Sequence, residues 1–244
     1  MEDNELKPLI QKIFDDSEGR YGSPRVYKAL KKQGVCIARK RVERLMRELK
    51  LVARVTTVTY RNVGLREFLA SGENLRVGVK APTAIDQVWV ADITYLKVKN
   101  RWMYLSVIMD LHSRRIIAWT LAKTRTSEVT KATLRYAVRK RKPKPGLILH
   151  TDRGIEYRSK SYQKVLGLYG IRHSLNRLGH CTDNAHMESY FHSMKAELIR
   201  GRRYETEDEL RSDLKYYINH FYNTRRLHSG IGYCSPIEYE QLAA

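Results

Sequence analysis

Cysteine is scarce in this chain of 244 residues, and the three present are Cys36, Cys181 and Cys234. They are odd in number, far apart and in no C-x-x-C pair. That excludes a disulfide frame or a zinc knuckle and suits the reduced thiols of a cytoplasmic protein. No signal-peptide pattern and no long apolar run is present, so neither export nor a membrane partner is expected. A heptad repeat is also missing, so any self-association must come from something other than a coiled coil. Acidic residues are outnumbered: 46 Lys and Arg stand against 26 Asp and Glu, a net charge of +20. Such an excess favours a polyanionic partner. The excess is uneven, because residues 1–20 carry 3 basic and 6 acidic side chains whereas residues 21–80 carry 15 and 4.

Three carboxylates stand out. Asp92 interrupts the apolar, β-branched run Trp89-Val90-Ala91-Asp92-Ile93-Thr94-Tyr95. An ionised carboxylate there is costly unless a charged group meets it, and a divalent cation is the natural partner. Asp152 follows Leu147-Ile148-Leu149-His150-Thr151 and precedes Arg153-Gly154, which reads as a buried strand delivering a carboxylate at its end. With thirty-five residues between them, Glu188 follows Asp152 in Asp183-Asn184-Ala185-His186-Met187-Glu188-Ser189-Tyr190-Phe191. Met187, Phe191, Met194 and Leu198 form one apolar helical face there, and Glu188 lies on the polar face beside it. Three hard carboxylates from two strands and a helix are what a phosphoryl-transfer site with two magnesium ions needs.

Along the chain, residues 5–17 read as an amphipathic helix through Leu6, Leu9, Ile10, Ile13 and Phe14. Ser23-Pro24 starts a second helix that Gly34 stops, and a third covers about 39–50. The third buries Val42, Leu45 and Leu49 and presents Arg39, Lys40, Arg41, Arg44 and Arg47. Two short helices with the second basic suggest a helix-turn-helix that contacts DNA. Ala38 stands where an N-cap oxygen is expected, which costs about 1 kcal/mol. Three strands, Gln87–Val98, Met103–Asp110 and Arg115–Leu121, are followed by a helix over about 126–141, strand 147–151, a helix near 160–169, strand Ile171–Leu175 and the Glu188 helix. Periodicity alone defines this as mixed α/β. Residues 206–223 form a last amphipathic segment that packs on the core through Leu210, Leu214, Tyr217, Ile218 and Phe221. After it, Arg225, Arg226 and His228 form a basic turn suited to a phosphate backbone.

The aspartate and glutamate blocks, taken with Tyr21-Gly22-Ser23-Pro24-Arg25-Val26, Met109-Asp110-Leu111-His112-Ser113-Arg114-Arg115 and Phe221-Tyr222-Asn223-Thr224-Arg225-Arg226-Leu227-His228, resemble retroviral integrases and bacterial insertion-sequence transposases. The closest likeness is to the OrfB type, and it covers nearly the whole chain. The resemblance implies a ribonuclease-H-like mixed five-stranded sheet flanked by helices, preceded by a small helix-turn-helix domain. The expected boundaries are 1–54 for the helical DNA-binding domain, 55–84 for a linker, 85–204 for the catalytic core and 205–244 for a C-terminal helical extension.

It further implies a transposase that cleaves element ends and transfers the 3′-hydroxyl into target DNA. Asp92, Asp152 and Glu188 would serve as catalytic residues and as ligands of two Mg2+ ions, or of Mn2+. Asn184, four residues before Glu188, is expected to support a metal ligand or water, and Asp183 to cap the catalytic helix. Lys195 is placed to approach the DNA end. Asp110 is expected either to be structural or to support the metal ligands from behind, and Glu156 to be a solvated carboxylate. A homo-oligomer on DNA and a partner from an upstream reading frame are also implied. The alternative reading is a catalytically idle DNA-binding regulator.

Overall fold

The computed structural model describes residues 2–54, 73–77, 81–177 and 181–243, the side chains of Cys181 and Thr182 excepted. By internal contacts the chain divides into two units, Met1–Tyr60 with Ser193–Arg200, and Arg61–His192 with Gly201–Ala244. Most of the expected linker, residues 55–72 and 78–80, lies outside the described residues.

The first unit holds three helices: α1 (Asp3–Asp16), α2 (Ser23–Lys32) and α3 (Arg39–Glu48). They bury Leu6, Ile10, Val26, Leu30, Val42 and Leu45 against one another. The start of α2 has Pro24 in its first turn, where a missing N–H costs nothing. As its residue type dictates, Ala38 sits at the N-cap of α3 without a side-chain hydrogen bond. The segment Ser193–Arg200 belongs to this unit through Glu197, whose carbonyl accepts from Arg20 Nε at 3.3 Å and from an Arg54 Nη at 2.9 Å.

The second unit is built on a five-stranded sheet in the order β3-β2-β1-β4-β5. Its strands are β1 (Val88–Val98), β2 (Arg101–Asp110), β3 (Ile116–Ala122), β4 (Ile148–Thr151) and β5 (Arg172–Leu175). β1 to β3 are antiparallel neighbours, while β4 joins β1, and β5 joins β4, in parallel. The β1–β2 connection is the two-residue turn Lys99-Asn100, one residue shorter than the spacing predicts. Lys99 takes φ 48°, the sign that tight hairpins need.

The parallel crossover from β3 to β4 runs through α4 (Ser127–Arg141). Two further helices, α5 (Ile155–Arg158) and α6 (Lys160–Leu168), connect β4 to β5. Together with the sheet they enclose a core of Trp89, Ala91, Ile117, Leu134, Leu149, Tyr157 and Tyr162. The α7 helix (Ala185–Met194) continues into a π-helical turn, Lys195–Ile199, so the single long helix implied by the apolar spacing changes phase at Lys195.

The C-terminal part packs as its pattern predicts. In α8 (Glu207–Lys215) and the π-helical Tyr216–Tyr222, the side chains of Leu210, Leu214, Tyr217, Ile218 and Phe221 are buried. Asn223 then closes the outer edge of the sheet: its Nδ2 donates to Ile116 O at 3.0 Å, and its Oδ1 accepts from Ile116 N at 2.9 Å. Glu240, on α9 (Pro236–Leu242), accepts from Arg115, Arg141 and Ser113, tying the chain end to β3 and α4.

Because the Asn223 amide is buried and satisfies both backbone groups of an edge residue, Asn223→Ala leaves two orphaned polar groups. That should destabilise by about 2–3 kcal/mol and lower Tm by about 5–10 °C. A midpoint within 1 °C of the native protein in thermal unfolding would show that the edge is closed by other contacts.

Candidate active site

Strand register delivers the first two carboxylates. β4 pairs with β1 as Val88↔Ile148, Trp89↔Leu149, Val90↔His150 and Ala91↔Thr151, and there it ends. The next residue of each strand is an aspartate, so Asp92 and Asp152 stand at adjacent positions on strands that lie about 4.8 Å apart. β1 runs on past this point, with Asp92 opposite Val107 of β2. One side of Asp92 is therefore open at the carboxyl end of the parallel pair, which is where ligands of such sheets bind.

The electrostatics record the crowding. Burial first, and the Asp152 charge second, push the Asp92 carboxyl up to about 8, against the hydrogen bond from Ile93 N at 2.7 Å and the pull of Arg125. Burial likewise raises Asp152, opposed by the Gly154 N–H, which donates to Oδ1 at 2.9 Å, and again by Arg125. Glu188 lies on α7 with its side chain exposed while Met187 and Phe191 point inward, and its charge acts on Asp92. Among the described residues, no three His, Cys, Asp or Glu side chains lie close enough together to cage a metal ion. The fold thus brings two carboxylates together and leaves the third exposed on α7.

Asn184 reaches β1 itself. Its Nδ2 donates to Ala91 O at 3.3 Å, one residue before Asp92, and its buried Oδ1 has no hydrogen-bond partner among the described residues. Asp183 does not cap α7. It belongs to the 3-10 turn Cys181–Asn184, and its carboxylate accepts from Arg177 N at 2.8 Å, from an Arg177 Nη at 2.9 Å and from Asn74 Nδ2 at 2.7 Å. The Arg177 hydrogen bonds hold its pKa well below the usual carboxylate range. Residues 73–77, expected to be linker, bind this turn and β5: Arg76 donates to Asp183 O at 2.9 Å, and Leu75 N to Ser174 Oγ at 3.0 Å. His150 sits beside Val90 and bonds Ser174 Oγ at 2.8 Å. Burial, then Arg76, lowers its pKa to about 4, so the ring is neutral at pH 7.

Glu156 departs from expectation, being buried rather than solvated. It pairs with Arg125 at 2.6 Å through the guanidinium Nε. Charge counting along the chain gives no sign of this partner, because Arg125 lies in the loop between β3 and α4, 31 residues away. Tyr157 was also missed: it is fully buried, its hydroxyl has no partner among the described residues, and the charges of Asp92 and Asp152 reach it. Asp110, by contrast, is structural as expected, accepting from the backbone of Asp86, His112 and Ser113.

The basic candidates separate into two groups. Arg39 and Lys40 are exposed at the start of α3, and Arg39 pairs with Glu43 one turn further on at 2.9 Å. Arg41 and Arg44 instead turn back on α1 and pair with Asp3 at 2.7 and 2.6 Å. Arg225 is exposed, but Arg226 is only 5 % exposed and lies 5.7 Å over the Tyr222 ring, which removes it from the surface on which a DNA backbone would bind. Lys195 is half-buried at the start of the π-helical turn.

A mixed sheet in this order, with helices on its faces and carboxylates adjoining where β4 ends against β1, is the ribonuclease-H-like class of fold. The integrase core domain matches residues 82–181, a second integrase core domain matches 188–243, and an HTH-like domain matches 1–57. The chain is 36 % identical to the transposase for insertion sequence element IS904 of Lactococcus lactis subsp. lactis (strain IL1403), over 97 % of this chain and 93 % of that protein. It is also 36 % identical to transposase InsF for insertion sequence IS3A of Escherichia coli (strain K12), over 95 % of this chain and 81 % of that protein. In fold it resembles a chain from the simian T-cell lymphotropic virus intasome in complex with PP2A regulatory subunit B56 gamma. There the TM-score is 0.53 at 15 % identity, over 95 % of this chain and 74 % of that one. The protein therefore belongs to the insertion-sequence transposases with an integrase core.

The raised Asp92 pKa has a sign that can be tested. Folding without a divalent cation forces up a group that ionises near 3.8 when unfolded, so stability falls by up to about 1.4 kcal/mol per pH unit between about 4 and about 8 and is flat above. In chelator, Asp92→Asn should therefore melt at a higher temperature than the native chain at pH 8, with the gap shrinking toward pH 5. A variant that melts lower at pH 8 would contradict this electrostatic reading.

Proposed function

We propose that the protein is the catalytic transposase of an insertion sequence, cleaving DNA at the element's ends and joining the freed 3′-hydroxyl to target DNA with the help of two magnesium or manganese ions. The observation that carries this reading is the Ala91↔Thr151 register, which sets Asp92 and Asp152 side by side in a poorly compensated, half-buried site. The donors suit a hard divalent cation: they are all oxygen, with no thiolate, and both carboxyls are raised in a way that a cation relieves. Asp92, on the central strand and open toward Asp152, would hold the ions together with Asp152 and Glu188. When bound, the ions would supply the charge that activates the attacking oxygen and stabilises the leaving one.

The chain's own residues do the rest. Asn184 holds the start of α7, and so Glu188, to β1 beside Asp92. The Asp183 turn, locked by Arg177, Asn74 and Arg76, fixes the same approach from the β5 side. DNA would be gripped through the exposed Arg39 and Lys40 of α3, with Lys195 and Arg225 as further contacts, and the protein would act as a homo-oligomer on paired ends. An upstream-frame partner fits the same reading.

A second reading, a regulator that binds ends without cutting them, is favoured by one observation: Glu188 is exposed and completes no three-group cluster among the described residues. Cleavage assays on end-bearing oligonucleotides separate the two. Asp92→Asn, Asp152→Asn and Glu188→Gln should each reduce cleavage and joining by a factor on the order of 10³ or more, with the triple variant little worse, since such ligands act as a unit. End binding should persist in all of them. Native activity should require Mg2+ or Mn2+, be weak in Ca2+ and vanish in chelator; an active Glu188→Gln, or a native chain that binds but never nicks, would favour the regulator.

The α3 contacts yield a separate expectation. Lys40→Ala should weaken end binding at every sequence and reduce the salt slope by about one, whereas Arg41→Ala should act through the lost Asp3 pair, lowering stability by about 0.5–1 kcal/mol. Unchanged DNA affinity of Lys40→Ala across a salt titration would move the interface away from this end of α3.

A further inference from the structure

Three charged groups converge on one glycine. A Cβ built on Gly154 would lie 2.6 Å from Glu156 Oε2, 2.9 Å from Asp152 Oδ1 and 3.2 Å from an Arg125 Nη. Gly154 has φ −56° and ψ 142°, which any residue can adopt, so glycine is needed for room rather than for conformation. Through that gap the Arg125 guanidinium acts on both aspartates, and it is the cation that draws both carboxyls down. Yet its short contact is with Glu156, through Nε at 2.6 Å and an Nη at 3.3 Å, and not with either aspartate. The Glu156 side chain is only 6 % exposed whereas that of Arg125 is 43 % exposed, so the carboxylate is the fixed member and the guanidinium the tethered one.

We propose that Arg125 and Glu156 form a positioning pair that sets the divalent-cation affinity of the Asp92–Asp152 site, with Glu156 holding the Arg125 guanidinium back from the two aspartates. Arg125 offsets part of their charge while the site holds no cation and weakens the attraction for one that enters. Without Glu156, nothing holds the guanidinium away, and it closes onto Asp152 in direct competition with the metal. Without Arg125, the aspartates and Glu156 present a larger negative charge to the same cation. The two deletions therefore act in opposite directions on metal affinity, although both break the same ion pair. A pair that served only to hold the fold would loosen the site either way.

The inference rests on the metal-binding reading above, and the test keeps the two apart. Mn2+ binding to the full-length protein is measured by calorimetric titration without DNA, with chelator-treated samples melted in parallel to confirm folding. Native binding lost in Asp92→Asn supports the site itself. Against that baseline, Arg125→Gln should bind Mn2+ about tenfold more tightly and Glu156→Gln about tenfold more weakly, with the double variant within about threefold of native. Should Glu156→Gln fail to fold, Glu156→Asp keeps the buried charge but shortens its hold on Arg125, and the same weakening is expected. If the single variants shift affinity in the same direction, or neither shifts it, the proposal is overturned while the site stands. If the native chain binds no Mn2+ at this site, the metal reading falls with it.

Discussion

The parallel register Ala91↔Thr151 is the constraint on which the rest of the site depends. Where β4 ends against β1, the next residue on each chain segment is an aspartate, one within β1 and one just past β4, and this puts like charges at a spacing neither would choose in water. Burial makes this worse, and together with the Asp152 charge it pushes the Asp92 carboxyl up. The surrounding structure works to hold that arrangement. The apolar core beneath β1 and β4 fixes the strands, Asn184 anchors α7 to the residue before Asp92, and Gly154 leaves room for Arg125 to face the pair. The cation proposed for this site would relieve that repulsion.

Much of the fold was legible because the hydrophobic periods are clean. The three strands of the hairpins, the crossover helix and the short parallel strands lie within a few residues of their expected limits, since the apolar, β-branched runs of β1 and β2 leave little choice. Asp92 and Asp152 were legible for the same reason: a charge inside or just after a buried strand is conspicuous. What stayed hidden depended on partners distant in sequence. No local pattern says that Arg41 and Arg44 will bond Asp3 rather than DNA, that Arg226 will lie under the chain on Tyr222, or that Glu156 is buried by an arginine 31 residues earlier. Basic composition reports a total, and only packing decides which cations are already used.

The same distinction applies at the turn before α7. Asp183 has the residue type and position of a helix cap, but Arg177 and Asn74 offer it charge-assisted and amide donors, which outcompete free backbone N–H groups. The result stabilises the loop rather than the helix end. In the proposed site, where the third carboxylate would come from that helix, the loop is the element that sets where Glu188 stands.

The central claim is that Asp92 and Asp152 are held together for a divalent cation, and anomalous diffraction from crystals grown with Mn2+ tests it most directly. The account predicts an anomalous peak between the two carboxylates, with the Arg125 guanidinium still on Glu156. A well-ordered site with no peak there, and the guanidinium lying between the aspartates instead, would contradict it.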